Sequence, residues 1–401
     1  MTARFRRLGA ALLLCGLFGV PPATAETFAR HDMAVAADPL TAAAGREILD
    51  AGGSAVDAAI AMALALTVVE PESAGIGGGA FLVAWSAGDR KVTSFDGRET
   101  APAAARPDRF LDAEGRPLAF YSAVVGGRSV GVPGLVRMAA LAHARLGRLP
   151  WARLFAPAIR LAADGFAISP RLHMLLAKDP YLANSSAAAR AYFYEPDGSA
   201  KPAGARLVDP PLAAVLRRVA EDGPDAFYRG PIAADIVAAV DHATPPGDLT
   251  AADLAGYQAK ARPAVCGTYH GDRLCGMGPP SSGAVTLLEI LRLLEPFDLR
   301  QHRNDGEAWH LFAEASRLAY ADRGRWLADP DFGALPVKGL LDPGYLAARA
   351  RLIDPQRAAA GRAAPGEPPG RHAANWGDEA APELPSTSSL ASRMSRSLGM
   401  N

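Results

Sequence analysis

Hydrophobic positions spaced three and four residues apart predict helices over most of the chain. Residues 39–69 contain two such stretches of small apolar residues, which are separated at Gly52-Gly53, and Ser54 is placed to cap the second. From residue 131 onward the same period recurs, with GPDAFYRG as a predicted loop between two of the helices. These further stretches are PGLVRMAALAHARLG, WARLFAPAIRLAADGF, PPLAAVLRRVAEDG, PIAADIVAAVDHA, PPSSGAVTLLEILRLLEPF and DGEAWHLFAEASRLAYADRGRWLADPDF.

Strand-like patterns are fewer. AFLVAWSA and KVTSFDG are predicted to form one hairpin, with its turn at Gly88-Asp89, and residues 264–277 a second. Helices before and after a few strands indicate a mixed α/β (α+β) layered architecture. The number of strands is low for 401 residues, which suggests that part of the sheet is missing.

The first 25 residues have the pattern of a cleaved export signal. Three arginines precede an apolar run over residues 8–20, and Ala-Thr-Ala ends at Ala25. The run is too short to span a bilayer core of about 30 Å as a helix. Export across the inner membrane, to the periplasm or beyond, is therefore expected, without a stable membrane anchor.

Charge and composition exclude several classes of function. The chain has 42 basic and 42 acidic residues, and the signal carries three arginines and no acid, so 39 − 42 leaves a net charge of −3. No basic surface for nucleic acid is predicted. The eight histidines are scattered, and neither a metal nor a cofactor is expected.

Two small-residue motifs suggest sites at first sight. GIGGG follows a helix and opens a strand, the reverse of a dinucleotide-binding fingerprint, so it is interpreted as a tight turn with close backbone approach. Ser281 and Ser282, in PPSSG, lack the residues of a nucleophile elbow. They are predicted to cap the helix that follows.

Cys266 and Cys275 are the cysteines that remain once the signal is removed. They flank GTYHGDRL, two short strand-like runs around a Gly-Asp turn, and could face each other across a hairpin. A disulfide would persist in an exported protein. Two free cysteines are the alternative, whereas a metal site is disfavoured because only His270 lies nearby.

Arg98 lies where a predicted strand ends, in SFDGRETAPAAA. An arginine at such a position can bind a carboxylate through two parallel hydrogen bonds. A surface arginine, or one paired with Asp96, would give the same pattern, so the local sequence leaves these alternatives open.

The composition changes after Pro355. The Pro, Gly and Ala content of residues 356–386 predicts a flexible, solvated linker. The tail, PSTSSLASRMSRSLGMN, contains neither a hydrophobic strand nor a capped helix.

Together these segments resemble one family, the γ-glutamyltransferases or glutathione hydrolases. The resemblance covers about residues 30–355, so residues 26–355 are expected to form the large-subunit region. The matching stretches, in the family's order, are AGGSAVDAAIAMALAL, PESAGIGGGAF, FDGRETAPAAA, VGVPG, AIRLAADGF, GPDAFYRG, DLTAADLAGY and EASRLAYADRGRWLADPDF.

The resemblance implies an N-terminal-nucleophile hydrolase with an αββα layered fold. In that family a precursor cleaves itself before a threonine, which becomes the nucleophile and whose α-amine serves as the base. Thr387 falls on that position, so cleavage would follow Ser386. Arg98 falls on the arginine that binds the substrate α-carboxylate. The implied reactants are glutathione or other γ-glutamyl compounds, with water or an acceptor amino acid or peptide.

The tail departs from the family pattern. Ser389 stands where a histidine is expected, and residues 387–401 stand where a whole small subunit should begin. The αββα fold is therefore expected to be incomplete, with residues 387–401 as a remnant. Two functions follow: a γ-glutamyl hydrolase/transferase, or an inactive remnant or subunit that requires a separate small-subunit chain. A cephalosporin-acylase-like activity is a related variant, and Arg98 favours the transferase.

Overall fold

The computed structural model describes residues 29–179, 186–299 and 306–371. The predicted signal, the junction at Ser386-Thr387 and the tail lie outside the described residues. No helix within the described ranges is both long enough and apolar enough to cross a membrane.

Helices dominate the described residues, as the hydrophobic spacing predicts. The strands are β1 (Ala80–Ser86), β2 (Lys91–Gly97), β3 (Phe166–Ala167), β4 (Arg206–Leu207), β5 (Lys260–Arg262), β6 (Val265–Tyr269) and β7 (Asp272–Gly276). The helices are α1 (Pro39–Asp50), α2 (Ala55–Val69), α3 (Phe120–Val124), α4 (Leu135–Leu146), α5 (Trp151–Asp164), α6 (Pro170–Lys178), α7 (Ala187–Phe193), α8 (Pro210–Asp222), α9 (Asp225–Tyr228), α10 (Gly230–Asp241), α11 (Ala251–Gly256), α12 (Gly283–Leu294), α13 (Gly306–Trp326), α14 (Val337–Leu340) and α15 (Pro343–Ala350).

The break between α1 and α2 is where the sequence predicts it. Ser54 accepts a hydrogen bond from the Asp57 N–H, and the Asp57 carboxylate accepts one from the Ser54 N–H, which forms a capping box. The same carboxylate also accepts from the N–H groups of Arg148 and Leu149. The cap of α2 therefore also holds the connection between α4 and α5.

The main sheet is small and antiparallel, with the strand order β1-β2-β5. Leu82 pairs with Phe95, and Ser94 pairs with Arg262. Phe95 is completely buried, on the face that α2, α4 and α5 cover. On the other face Val83 and Trp85 are exposed. The main sheet thus has a helical layer on one side and an uncovered face on the other among the described residues.

Two separate hydrophobic cores are present among the described residues. The first core joins most of the helices from α1 to α11, though not α3, with the main sheet. The second core is smaller and lies between α12, α13 and α15, with Leu293, Leu311, Leu318 and Leu346 at its centre. Charged side chains are buried beside each core. Those beside the first core belong to the candidate site, and those beside the second form a separate cluster.

The first hairpin turn is centred on Gly88-Asp89, as the sequence predicts, and the second lies one residue earlier than predicted. Residues 87–90 form the first, and Arg90, rather than Gly88, takes the positive φ of 51°. In the second, His270 (φ 48°) and Gly271 (φ 91°) are the turn residues, not the Gly-Asp pair. A two-residue turn of this kind needs positive φ at both positions.

The position of the second turn decides how the cysteines meet. With residues 270–271 as the turn, Cys266 pairs directly with Cys275 across β6 and β7. The structure joins them by a disulfide. A turn one residue later would have shifted the register and separated the two thiols.

One predicted loop contains a helix instead. GPDAFYRG contains α9, because Phe227 and Tyr228 are buried in the first core and a helical turn places both side chains there. The described part of the predicted linker, residues 356–371, contains no helix or strand but makes contacts around Gly366. The Gly366 N–H donates to Asp322, the Trp326 indole donates to the Gly366 carbonyl, and Pro368 is buried. The buried Asp322 and the half-buried Trp326 of α13 thus hold a segment whose composition is that of a linker.

Candidate functional site

Arg98 follows directly after β2, and its side chain is 63% exposed. The closest acidic partner among the described residues is Glu99, whose Oε2 lies 3.9 Å from Arg98 Nε. The guanidinium does not pair with Asp96, one of the alternatives that the sequence leaves open. It is therefore available to a ligand from solvent.

The backbone of Arg98 is fixed on its amino side by Asp96. The Arg98 N–H donates to Asp96 Oδ1 at 2.9 Å, and Arg262 Nε donates to Asp96 Oδ2 at 2.6 Å. Asp96 is buried, so an unpaired carboxylate there would cost several kcal/mol. Both of its oxygens are satisfied.

The carbonyl of Arg98 is fixed by Tyr257, whose buried hydroxyl donates to it at 2.7 Å. The Tyr257 ring lies parallel to that of Tyr228, with centroids 6.0 Å apart, and the Arg137 guanidinium lies over Tyr228. Burial raises the pKa of Tyr257 well above its ordinary value, with a smaller contribution from Tyr228. The hydroxyl therefore remains a donor throughout the neutral range.

Arg262 is held from its other side by Asp331. Nη1 and Nη2 of Arg262 donate to the Asp331 carboxylate at 3.1 and 2.7 Å, and Lys260 Nζ donates to it at 2.6 Å. The bond from Arg262 lowers the pKa of Asp331 to about 2, with Lys260 contributing next. The Asp331 hydrogen bond is also the largest cause of a raised pKa at Arg262. We call Asp96, Tyr257, Arg262 and Asp331 the Arg98 network.

The glycine-rich loop lies against this network. The Gly78 carbonyl accepts from the N–H groups of Gly134 and Leu135, both at 3.0 Å. A Cβ at Gly79 would lie 2.6 Å from the Gly97 carbonyl oxygen, and one at Gly134 would lie 2.0 Å from it and 2.4 Å from the Tyr257 hydroxyl. The predicted close backbone approach is confirmed, since no side chain fits at either position.

The start of the same loop is anchored by Arg171 of α6. Arg171 pairs with Glu70 and Glu72 and donates to the Ser73 hydroxyl. Burial raises the pKa of Glu70, and the neighbouring Glu72 carboxyl raises it further, while Arg171 opposes both. The segment that leads from α2 to the glycines is thus fixed at both ends.

The two serines before α12 differ in their contacts. The Ser281 hydroxyl accepts from the Gly283 N–H at 3.1 Å, so this residue satisfies one of the helix's free N–H groups. Ser282 occupies the cap position without a capping bond from its own hydroxyl, which accepts instead from Arg323. The capping prediction is confirmed for Ser281 and wrong for Ser282.

A second charged cluster is buried beside the second core. Asp322 accepts hydrogen bonds from Tyr345 at 2.7 Å and from Arg349 at 2.9 Å. Glu289 lies near them, and neither of its carboxyl oxygens has a hydrogen-bond partner among the described residues. The pKa of Glu289 is raised to about 9, mainly by burial and also by the nearby Asp322 carboxylate, while Arg349 opposes the shift. Glu289, Asp322, Tyr345 and Arg349 form the second-core cluster.

Neither cluster has the composition of a metal site. Within residues 29–179, 186–299 and 306–371, no group of three or more His, Cys, Asp or Glu side chains could hold a metal ion. The chemistry that the Arg98 network supports is anion binding, because a guanidinium with a fixed backbone can present two parallel donors to a carboxylate.

The sequence identifies Arg98 but not its partners. Tyr257, Arg262 and Asp331 lie 159, 164 and 233 positions further along the chain, and nothing local marks them. The signal that could have found them is membership of the quoted motifs: Tyr257 ends DLTAADLAGY, and Asp331 belongs to DPDF. Thr387 and Ser386 lie outside the described residues.

The fold and the site define a class, an α/β protein with a helical layer on a small antiparallel sheet and a candidate carboxylate-binding arginine at a strand end. The profile of the family described as Gamma-glutamyltranspeptidase matches residues 41–392. The chain belongs to the γ-glutamyltranspeptidase family.

Individual relatives agree with this family. The chain is 35% identical over 340 residues to the glutathione hydrolase proenzyme of Bacillus subtilis, covering 83% of this chain and 57% of that protein. It is 38% identical over 340 residues to the acylase ACY 1 proenzyme of a Pseudomonas species, covering 81% and 59%. The crystal structure of Helicobacter pylori γ-glutamyltranspeptidase superposes with a TM-score of 0.79 at 32% identity, covering 83% of this chain and 95% of the solved one.

The coverage differs between these comparisons. The chain spans less than two thirds of the length of the curated relatives that it matches, yet nearly all of the solved H. pylori chain. The fold of the described residues is therefore that of the family, an α/β fold of the N-terminal-nucleophile hydrolases.

Proposed function

We propose that the chain provides the α-carboxylate-binding part of a γ-glutamyl hydrolase or transferase that acts on glutathione and related γ-glutamyl compounds. The observation that carries the proposal is the exposed Arg98 guanidinium, on a backbone whose N–H and C=O groups are both bonded to buried side chains. The relatives named glutathione hydrolase proenzyme support the substrate class.

The proposed reaction is acyl transfer through a threonine. The hydroxyl of Thr387 attacks the γ-carbonyl carbon, the bond to the leaving amine breaks, and a γ-glutamyl ester forms. The α-amine of Thr387, freed by cleavage after Ser386, takes the hydroxyl proton and delivers it to the leaving amine. Water, or the amine of an acceptor amino acid or peptide, then releases the γ-glutamyl group from the ester.

The alternative is a chain that binds γ-glutamyl ligands but needs a separate small-subunit polypeptide for turnover. The exposed apolar side chains of Val83 and Trp85, on the uncovered face of the main sheet, favour this alternative. In the proposed αββα arrangement a second sheet from the small subunit covers that face.

Export and maturation belong to the same proposal. The disulfide between Cys266 and Cys275 supports an oxidising compartment such as the periplasm or the cell exterior. The proposed order of events is therefore secretion, removal of residues 1–25, and self-cleavage of an inactive precursor.

Calorimetric titration of the full chain with L-glutamate tests the binding step. The unaltered chain is expected to bind, Arg98→Ala to lose binding, and Arg116→Ala, which removes another exposed arginine, to keep it. Binding that survives in Arg98→Ala would refute the proposal.

Two further measurements separate the candidate activities. Release of the chromogenic amine from a γ-glutamyl anilide reports turnover by the chain itself, and intact mass reports cleavage between Ser386 and Thr387. Binding without turnover or cleavage would favour the alternative that requires a second chain. Hydrolysis of a glutaryl amide in preference to the γ-glutamyl anilide would indicate an acylase instead.

A further inference from the structure

We propose that Tyr257, Arg262 and Asp331 are positioning residues for Arg98, which set the direction in which its guanidinium meets the ligand α-carboxylate. The inference rests on the proposed function, because it assumes that Arg98 binds that carboxylate. None of the three needs to touch the ligand.

The first argument is that both polar groups of the Arg98 backbone are bonded to buried side chains. A residue with a 63% exposed side chain at the end of a strand would ordinarily leave these groups to water. Here Asp96 accepts from the N–H, and Tyr257 donates to the carbonyl. The peptide planes on both sides of the Arg98 Cα are thereby fixed, and so is the direction of its Cα–Cβ bond.

The second argument concerns Arg262, which uses three different nitrogens. Nε donates to Asp96, while Nη1 and Nη2 donate to Asp331. Only the planar fork of a guanidinium can serve two carboxylates on different sides in this way. Asp331 therefore orients Arg262, Arg262 orients Asp96, and Asp96 orients the Arg98 backbone.

The third argument concerns Tyr257, whose hydroxyl reaches the Arg98 carbonyl only because residue 134 is a glycine. A Cβ at that position would lie 2.4 Å from the Tyr257 oxygen. Stacking on Tyr228 fixes the ring itself. The phenol is thus held by contacts that do not involve Arg98.

The role has a specific consequence for ligand choice. L-Glutamate carries the α-carboxylate, and 4-aminobutyrate is the same molecule without it. If the network positions Arg98, its loss weakens L-glutamate binding far more than 4-aminobutyrate binding. A merely structural role would weaken the binding of both ligands equally.

The test uses the full chain and the variants Tyr257→Phe and Arg262→Lys, with two measurements. Amide hydrogen exchange over residues 95–99 is expected to accelerate in both variants, because one partner of the Arg98 backbone is lost or loosened. The dissociation constant for 4-aminobutyrate divided by that for L-glutamate is expected to fall about fivefold, which is the effect of losing one net hydrogen bond. The matched control is Arg109→Lys, at an ion-paired arginine whose side chain is 13% exposed, against 16% for Arg262; it should change neither quantity.

Each outcome decides the question. Unchanged exchange over residues 95–99, or an equal loss of affinity for both ligands, would overturn the positioning role. If Arg262→Lys fails to fold, Tyr257→Phe carries the test, since it keeps the stacked ring. If the unaltered chain binds neither ligand, the proposed function fails instead, and the exchange measurement alone decides whether the network holds Arg98.

Discussion

Asp96 and Glu289 are both buried carboxyl groups, with 6% and 1% of their surface exposed, but their surroundings are opposite. Asp96 accepts a hydrogen bond on each oxygen, from Arg98 and Arg262. Glu289 has no partner on either oxygen among the described residues. The comparison separates a buried charge that organises a site from a buried acid that stays protonated.

The two acids differ in how the neighbouring arginine is oriented. Arg262 has donors to spare after binding Asp331, and its Nε serves Asp96. Arg349, near Glu289, directs its bonds to Asp322 and to the carbonyls of Leu318 and Ala364. All three bonds leave Arg349 Nη2, and Arg349 Nε has no partner among the described residues, so the direction in which the guanidinium points, not a shortage of donors, leaves Glu289 unpaired.

The largest expected effect is the loss of stability when Asp96, the hydrogen-bonded carboxylate, is replaced. Asp96→Ala leaves the Arg98 N–H and Arg262 Nε without an acceptor, and should lower the free energy of unfolding by about 3–5 kcal/mol, as measured in urea. Asp331→Asn, at a third-exposed position of the same network, should cost about 1 kcal/mol or less. Equal losses in the two variants would mean that burial does not govern this network.

The next effect is a pH dependence of stability that comes from Glu289, the carboxyl group without a hydrogen-bond partner among the described residues. The ordinary pKa of Glu289 is 4.5, and the folded-state pKa is about 9. Between these values the folded chain keeps a proton that the unfolded chain releases. Stability from this group is thus complete below pH 4.5 and falls as pH rises toward 9, by about 1.4 kcal/mol per pH unit at most.

Glu289→Gln should remove this decline. The gain in the free energy of unfolding over the unaltered chain should therefore be larger at pH 8 than at pH 5, by an amount on the order of 3 kcal/mol. Urea unfolding at both pH values measures it. Glu114→Gln, at an exposed position, serves as the control and should keep the decline. A decline of the same size in Glu289→Gln would assign the pH dependence to another group.

A smaller effect tests whether the close backbone approach at Gly134 is needed for the packing around Asp96 and Tyr257. Gly134→Ala places a Cβ against the Gly97 carbonyl and the Tyr257 hydroxyl, and should cost about 1–3 kcal/mol. Gly324→Ala, inside α13 with open space around it, should instead add up to about 1 kcal/mol. Thermal unfolding of the pair measures both signs, and a stable Gly134→Ala would remove the packing argument.

The smallest effect on stability is expected at Arg98 itself. Its side chain is exposed and weakly paired, so Arg98→Ala should change the free energy of unfolding by less than about 0.5 kcal/mol. The same variant should lose L-glutamate binding. Loss of binding together with a large loss of stability would mean that Arg98, like Asp96, stabilises the fold, and that its role is not ligand binding alone.

The sequence predicts what depends on local pattern. The helices, the break before Ser54 and the close approach at GIGGG follow from spacing, capping chemistry and glycine content, because each is decided within a few residues. Arg98 emerges from its place at a strand end and from the family resemblance. Its partners do not, because the pairing of β2 with β5 brings them there from distant parts of the chain.

Composition misleads in two places for physical reasons. The segment around Gly366 has the Pro, Gly and Ala content of a linker, but its backbone groups bond to Asp322 and Trp326, whose burial the sequence does not reveal. Glu289 lies in an amphipathic helix where a charged residue would ordinarily face solvent, and packing against α13 and α15 buries it.

The pairing of β2 with β5 also has a consequence for when the site can form. The bond between Arg262 and Asp96 closes a loop of 166 residues, and the closure entropy of that loop must be offset before the bond can form. A nascent or partly folded chain therefore has Arg98 but no defined orientation for it. Recognition of an α-carboxylate would then report that folding is complete, and a chain still folding would not compete for ligand.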